Sequence, residues 1–210
     1  MKLFLDSALL EEVRACAEWG WVTGVTTNPT LLAQSSQSPE IILKKIRKLI
    51  KGPVFYQLTG KTINAMKKEA EKGQDILGKQ LVLKIPATEL GFKATALLSK
   101  KYVCAVTSIF TPAQGLVAHA AGARFALYYH NRAKRLLENG ETFAAKLVQV
   151  LNRTDTRVIA ASLKSPEEVV EARSAGVNIM SANFNVLKQM MSHKLSIKAV
   201  EEFDQTGSGL

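Results

Sequence analysis

The chain is poor in cysteine, with only Cys16 and Cys104 among 210 residues. Neither belongs to a CxxC pair or lies at ligand spacing from a histidine, so a disulfide framework and a structural zinc site are excluded as organising devices. Two small buried hydrophobes are the simpler reading. No run approaches the roughly 20 apolar residues needed to span a bilayer. The opening Met1-Lys2-Leu3-Phe4-Leu5 resembles the start of a leader, but Asp6, Glu11 and Glu12 interrupt it before any cleavage site. A soluble, cytoplasmic protein is therefore expected. Aromatic residues make up only 7% and are not interleaved with the basic ones, which disfavours a nucleic-acid surface. His119, His130 and His193 have no carboxylate or histidine partner at metal spacing, so each is read as surface or structural and no metal is expected.

Acidic residues are the scarcer charge: 18 against 28 basic, a net +10 with pI near 9.6. Such an excess suits an anionic partner. The densest cluster, Lys44, Lys45, Arg47, Lys48 and Lys51, shares its segment with Ile42, Leu43, Ile46 and Leu49, the pattern of a helix with one solvated face. A small phosphorylated metabolite is then the expected partner, with no nucleic acid and no membrane.

What the chain does contain is an alternation of short apolar runs with amphipathic stretches. Strands are expected over Leu3–Asp6, Val22–Thr27, Pro53–Leu58, Gln80–Ile85, Tyr102–Ser108, Arg124–Tyr129, Thr156–Ala161 and Val177–Ser181. Helical patterns follow each: Ala8–Glu18, Pro39–Lys51, Thr62–Lys72, Glu89–Ser99, Pro112–Ala121, Thr142–Leu151, Pro166–Ala175 and Asn185–Met191. Eight strand-then-helix units predict an α/β fold, a (β/α)8 TIM barrel in one domain over 1–210, compact for a fold of typically about 250 residues. A further helix is expected over 194–204 and a frayed tail over 205–210. Pro39, Pro112 and Pro166 open their helices behind the caps Ser38, Thr111 and Ser165. Gly52, Gly122 and Gly176 are expected as left-handed helix ends. A doubly wound open sheet is the competing fold, but no GxGxxG or GxxxxGK[ST] follows any strand.

Barrel enzymes carry their chemistry at the C-terminal strand ends. Here those ends read Asp6, then Thr26, Thr27 and Asn28, then Gln57, Lys84, Thr107, Tyr129 and Ser162. Lys84 lies between Leu81-Val82-Leu83 and Ile85-Pro86, where a charged ammonium is costly to keep and the neutral, nucleophilic amine gains. From this setting alone a snorkelling or ion-paired lysine weighs equally. Imine chemistry also needs proton donors and acceptors, a held water and neutral amides, types that Tyr129, Thr107, Gln57, Asn28 and Asp6 supply.

Asp6, Gly24-Val25-Thr26-Thr27-Asn28-Pro29-Thr30, Val82-Leu83-Lys84-Ile85-Pro86, Ala113-Gln114-Gly115-Leu116, Asn131-Arg132 and Ala160-Ala161-Ser162 together resemble the small transaldolase and fructose 6-phosphate aldolase family, in order along almost the whole chain. The resemblance implies a class I Schiff-base enzyme without cofactor or metal. It implies Lys84 as the imine-forming residue, Tyr129 as acid/base, and Gln57 and Thr107 as holders of the catalytic water. Asp6, Thr26 and Asn28 would contact the sugar, and Arg132 and Ser162 its phosphate, with Lys164 as an added contributor. It further implies a ring-based homo-oligomer, a pentamer or decamer, with the terminal helix reaching a neighbour. Transaldolases resembling this chain carry Glu and Phe at the positions of Gln57 and Tyr129. The pair present here is similar to the aldolase branch, which implies cleavage of fructose 6-phosphate or a similar ketose phosphate to dihydroxyacetone and glyceraldehyde 3-phosphate. Transaldolase and a non-catalytic sugar-phosphate-binding barrel are the alternatives.

Three departures from the family pattern bear on substrate. Leu127 stands where the aldolase branch has a small residue, and would narrow the donor side if it faces the site. After Asn131-Arg132 the chain runs Ala133-Lys134-Arg135 instead of an aliphatic residue and Asp, which adds two cations expected near the phosphate. Ala182-Asn183 replaces an aliphatic-Pro pair on the same rim.

Overall fold

The computed structural model describes residues 1–208. Its eight strands, β1 (Lys2–Asp6), β2 (Val22–Thr26), β3 (Val54–Gln57), β4 (Leu81–Pro86), β5 (Cys104–Ile109), β6 (Phe125–Tyr129), β7 (Arg157–Leu163) and β8 (Ile179–Ala182), are all parallel and close in sequence order, β8 pairing with β1. This is a TIM barrel, as eight alternating units predict. The helices between strands are α1 (Leu10–Trp19), α2 (Pro29–Leu32), α3 (Pro39–Leu49), α4 (Ile63–Leu77), α5 (Glu89–Leu98), α6 (Pro112–Ala120), α7 (His130–Leu136), α8 (Gly140–Val150) and α9 (Pro166–Ser174), followed by α10 (Phe184–Gln189) and α11 (Lys194–Thr206). Among the described residues no helix is long and apolar enough to cross a membrane.

Strand side chains alternate, and this splits the core in two. Outward residues such as Leu3, Leu5, Val54, Leu83 and Val106 pack under the helices. Phe4, Phe55, Val82, Ala105, Leu127 and Ile159 point inward and form a separate apolar plug, with Phe55 5.5 Å from both Phe4 and Phe125. Gly24 makes room for that plug, since a side chain there would stand 2.9 Å from the Phe4 ring.

The expected caps all form: Ser38, Thr111 and Ser165 each accept an amide from the first turn, and Thr111 makes a capping box with Gln114. Cys16 and Cys104 are buried thiols, and burial pushes each up to about 12. Trp19 stacks on Trp21 and Phe184, a packing role.

Boundaries shift where a buried stripe outlasts its local signal. Helix α4 runs five residues past the expected Lys72, because Gly73 and Leu77 continue the buried face of Met66 and Ala70. Strand β7 continues through Ser162 to Leu163. Helices α2 and α7 lack an expected counterpart, being too short to show a period. Helix α11 extends to Thr206, beyond the expected 204 and into the expected tail, with no buried residue and with Leu195, Ile197, Val200 and Phe203 exposed. Gly209 and Leu210 of that tail lie outside the described residues.

Gly122 and Gly176 adopt φ of 81° and 93°, but Gly52 does not. It is required for close approach instead, since a Cβ there would lie 1.8 Å from the Thr23 carbonyl oxygen. The left-handed cap absent from the expected set is Gly20, φ 76°, with nothing within 4 Å of a Cβ. Gly52→Ala should therefore cost about 3 kcal/mol or more, the upper end of overpacking strain, against about 1 kcal/mol for Gly20→Ala. Equal losses in urea unfolding would mean that Gly52 is not sterically constrained.

Candidate active site

The same two-residue period that builds the plug builds the site. Asp6, Gln57, Lys84, Thr107 and Tyr129 each follow a plug residue by two positions, so they face inward one layer nearer the C-terminal mouth. A cleft of about 440 Å³ opens there, whose lining includes Asp6, Thr26, Asn28, Gln57, Lys84 and Tyr129 together with Leu127, Arg132, Ser162 and Lys164. Nine of the ten expected site residues thus share one cavity.

Lys84 is 3% exposed at the base of this cleft, and its Nζ donates to the Thr27 carbonyl at 3.0 Å. Thr27 is itself held by a 2.8 Å bond from its hydroxyl to the Phe55 carbonyl. The Thr26 hydroxyl donates to Asp6 Oδ1 at 2.7 Å and lies 2.6 Å from the Ser181 hydroxyl. Burial pushes the Asp6 carboxyl above its usual value, while the Lys84 charge, the Thr26 bond and the Lys164 charge pull the other way. Asn28 lines the cleft and also caps α2, its Oδ1 accepting from the Leu31 amide at 2.9 Å.

Thr107, the tenth residue, is fully buried behind Tyr129 and reaches the cleft only through it. The Tyr129 hydroxyl accepts from Thr107 at 3.3 Å and from Ser108 at 3.2 Å. Above the ring lies the Arg132 guanidinium, 4.9 Å from its centroid, a cation–π contact. Ser108 was not expected here. It sits at φ 62° where the β5–β6 register slips between Val106 and Ile109, and Ser162 repeats the device at φ 58° where β7–β8 slips between Ala160 and Leu163. Such bulges re-aim a side chain at the cost of a left-handed non-glycine residue. A run of Thr-Ser or Ala-Ser carries no bulge signal in the sequence.

Glu168 is the second residue that sequence reasoning missed. One carboxylate oxygen accepts from Asn131 Nδ2 at 2.7 Å and the other from the Lys164 amide at 2.8 Å. It ties the start of α7, which carries Arg132, to the strand end that carries Ser162 and Lys164. A signal existed: Ser165-x-x-Glu168 reads as a capping box, in which the acid would turn back to the cap amide. Here it bridges two segments instead.

The added cations after Arg132 do not reach the cleft. Lys134 donates to Glu171 at 2.6 Å, with Glu141 at 3.7 Å, and Arg135 donates to Asn131 Oδ1 at 3.1 Å. The expectation that they lie near the phosphate is corrected by acids on α8 and α9 that hold Lys134 and by the Asn131 amide oxygen that holds Arg135. Asn183 likewise caps α10 through the Val186 amide rather than joining the cleft. Leu127 does face it. Tyr128 points outward into the core, its hydroxyl 3.0 Å from His130 Nδ1, whose Nε2 lies 3.2 Å from Glu171.

A family model described as Transaldolase/Fructose-6-phosphate aldolase matches residues 3–208. A probable transaldolase of Symbiobacterium thermophilum is 36% identical over 97% of this chain and 95% of its own, and one of Caldicellulosiruptor saccharolyticus is also 36% identical over the same shares. The counterpart in Coprothermobacter proteolyticus is 34% identical over 97% of this chain and 94% of its own. Among solved structures, a mandelate oxidase variant superposes with a TM-score of 0.64 at 14% identity, covering 95% of this chain and 71% of that one, which speaks to the barrel alone.

Because the Asp6 carboxyl is raised, the folded protein holds a proton that the unfolded chain has lost over the window above the ordinary carboxylate value, so stability falls as pH rises through it. Asp6→Asn keeps the acceptor for Thr26 and removes that penalty. Its melting temperature should exceed that of the unaltered protein at pH 8 and converge with it at pH 4, each ~1 kcal/mol gained raising Tm by about 2–4 °C. A lower Tm at pH 8 would mean that the attraction to Lys84 outweighs burial.

Proposed function

The chain belongs to the transaldolase/fructose-6-phosphate aldolase family, and on that premise we propose that it is a Schiff-base aldolase acting on fructose 6-phosphate or a similar ketose phosphate. The observation that carries this reading is a lysine amine buried at the floor of a cleft that a tyrosine hydroxyl also lines. Arg132, Ser162 and Lys164 take the phosphate at the outer end, where the guanidinium fork suits its oxygens. Asp6, Thr26 and Asn28 hold sugar hydroxyls.

The Lys84 amine adds to the C2 carbonyl, and loss of water leaves a protonated imine. Tyr129, its hydroxyl held by Thr107 and acting through a water positioned by Gln57, takes the C4 hydroxyl proton as the C3–C4 bond breaks. The bonding pair passes into the imine, forming an enamine, and glyceraldehyde 3-phosphate departs. Tyr129 returns the proton to C3, water adds to C2, and dihydroxyacetone leaves with the amine regenerated. The imine stores the carbanion's electron pair, so the step needs no electrophilic metal.

Branch assignment rests on Tyr129 and Gln57. A phenol protonates the enamine carbon and lets the donor half leave as a ketone. Transfer to an acceptor aldose is the second reading, and the naming of relatives at 34–36% identity as probable transaldolases favours it. The same reading includes a homo-oligomer, supported by the exposed Leu195, Ile197, Val200 and Phe203 of α11.

Fructose 6-phosphate supplied alone should yield free glyceraldehyde 3-phosphate at steady state in a coupled dehydrogenase assay. Release only when an aldose phosphate acceptor is added would establish transfer instead. Borohydride with dihydroxyacetone should leave a covalent adduct visible by mass spectrometry and absent in Lys84→Met. An unlabelled native protein would defeat both enzyme readings, and a labelled variant would move the imine to another lysine. Tyr129→Phe should lower cleavage by roughly 10²–10⁴-fold while adduct formation persists; unchanged cleavage would remove its acid/base role.

A further inference from the structure

The amino-terminal mouth of the barrel, opposite the catalytic cleft, holds three adjoining hollows of about 530, 160 and 420 Å³. They share walls: Lys2, Arg157 and Ile179 separate the first from the second, and Pro53, Arg124 and Phe125 the second from the third. Together they form one trough whose charged side chains are Lys2, Lys51, Lys79, Arg124, Arg153 and Arg157, with no carboxylate in the lining.

On the barrel's flanks Lys44, Lys93, Lys134 and Lys198 each have a glutamate within 2.6–3.6 Å, while others there, such as Lys48 and Lys67, have none within 4.0 Å among the described residues. What marks the mouth is that several cations share one concave lining without a carboxylate. At the mouth only Arg124 is paired, 3.6 Å from Asp155. Among the described residues, Lys2, Lys51, Lys79, Arg153 and Arg157 have no carboxylate within 4.0 Å. Complementing the negative ends of helices accounts for Lys51 and Lys79, which follow α3 and α4. It does not account for Lys2 and Arg157, which are strand residues, and Arg153 adopts φ 60°, where glycine or asparagine would be less strained. A concave surface lined by one sign of charge focuses its field and concentrates counter-ions.

The neutral polar groups narrow the ligand. In the largest hollow the Thr154 hydroxyl donates to the Leu151 carbonyl, the Thr156 hydroxyl to Ala123, and the Asn178 amide to Gly176, while the Asn152 side chain accepts from the Arg153 amide. With these hydroxyl donors engaged internally, the cations, together with the Asn152 amide beside Arg153, are the donors left to recognise a ligand, so charge and not a hydroxyl pattern is read. The aromatics available are Phe4, buried, and Phe125, half-buried and packed on Phe55, which leaves bases no stacking platform. An acidic peptide would order many separate side chains on binding. A condensed chain of phosphates carries its charges on one short backbone.

We propose that the amino-terminal mouth is a binding site for a linear oligophosphate, distinct from the catalytic cleft and spanning the trough from Arg153 to Lys51. A single orthophosphate would engage only one hollow and bind far more weakly.

Calorimetric titration of the full chain with inorganic tripolyphosphate and with longer polyphosphate, at fixed ionic strength, tests this. Tripolyphosphate should bind more tightly than orthophosphate by at least about tenfold, with affinity falling as salt is raised. The double variant Arg153→Gly, Arg157→Ala should lose about tenfold or more; the first change suits the left-handed backbone, and a retained melting temperature verifies the fold. Lys44→Ala with Lys93→Ala, on the flanks, should bind normally. Undiminished affinity in the mouth variant would overturn the proposal, as would loss of binding on Arg132→Ala, which would place the anion in the catalytic cleft. Tighter binding of single-stranded RNA or of oligoglutamate of equal charge would overturn it in favour of that partner.

Discussion

The structure depends on one constraint: in a closed parallel barrel every second strand residue points into a space too narrow for water and too small for more than a few layers. Phe4, Phe55, Val82, Ala105 and Leu127 fill the lower layer and make it apolar. The next inward positions are then lifted to the mouth, seated on a dry floor and still open to solvent above. Asp6, Gln57, Lys84, Thr107 and Tyr129 owe their convergence to this parity. An ordinary surface loop could hold the same side chains, but it would not surround Lys84 with protein on all sides but one. The same enclosure desolvates Asp6 and raises its carboxyl above the usual value.

Alternation alone places each residue to within its layer; finer aiming comes from local departures. Two bulges, at Ser108 and Ser162, occur on β5 and β7, the neighbours of the strand that ends in Tyr129. Each spends a strained backbone conformation to turn a hydroxyl toward the cleft or its edge. Outside the barrel wall, Glu168 joins α7 to the end of β7, and Glu171 gathers His130 and Lys134. The rim around Arg132 is therefore set by acids on α9, an element that contributes nothing to the cleft lining itself.

Much of this was legible in advance. Eight apolar runs, each followed by an amphipathic stretch, are a strong signal because barrels need both periods in strict alternation. Pro39, Pro112 and Pro166 behind hydroxyl caps located the starts of their helices to the residue. The strand-end residues were legible because their polarity breaks an apolar run. Less legible were contacts between segments far apart in the chain. Lys134 and Arg135 read locally as an anion-binding pair, yet Glu171, Glu141 and Asn131 bind them. Gly52 read as a helix cap, and only the closeness of Thr23 reveals its steric role.

What the sequence by itself determined is the architecture, the chemical types at the mouth and the family, because periodicity, capping and motif order are properties of neighbouring residues. What only the tertiary structure decided is which polar groups are already paired and which are available. It placed Thr107 behind Tyr129 and turned Leu127 toward the substrate space. It also sorted the +10 of net charge: a few flank lysines paired with nearby glutamates, a few cations at the cleft, and a set gathered in a lining without carboxylates at the opposite mouth. The physical reason is that charge is additive in a sequence but not in space, where each group's free energy is set by the partner and the solvent within a few ångströms of it.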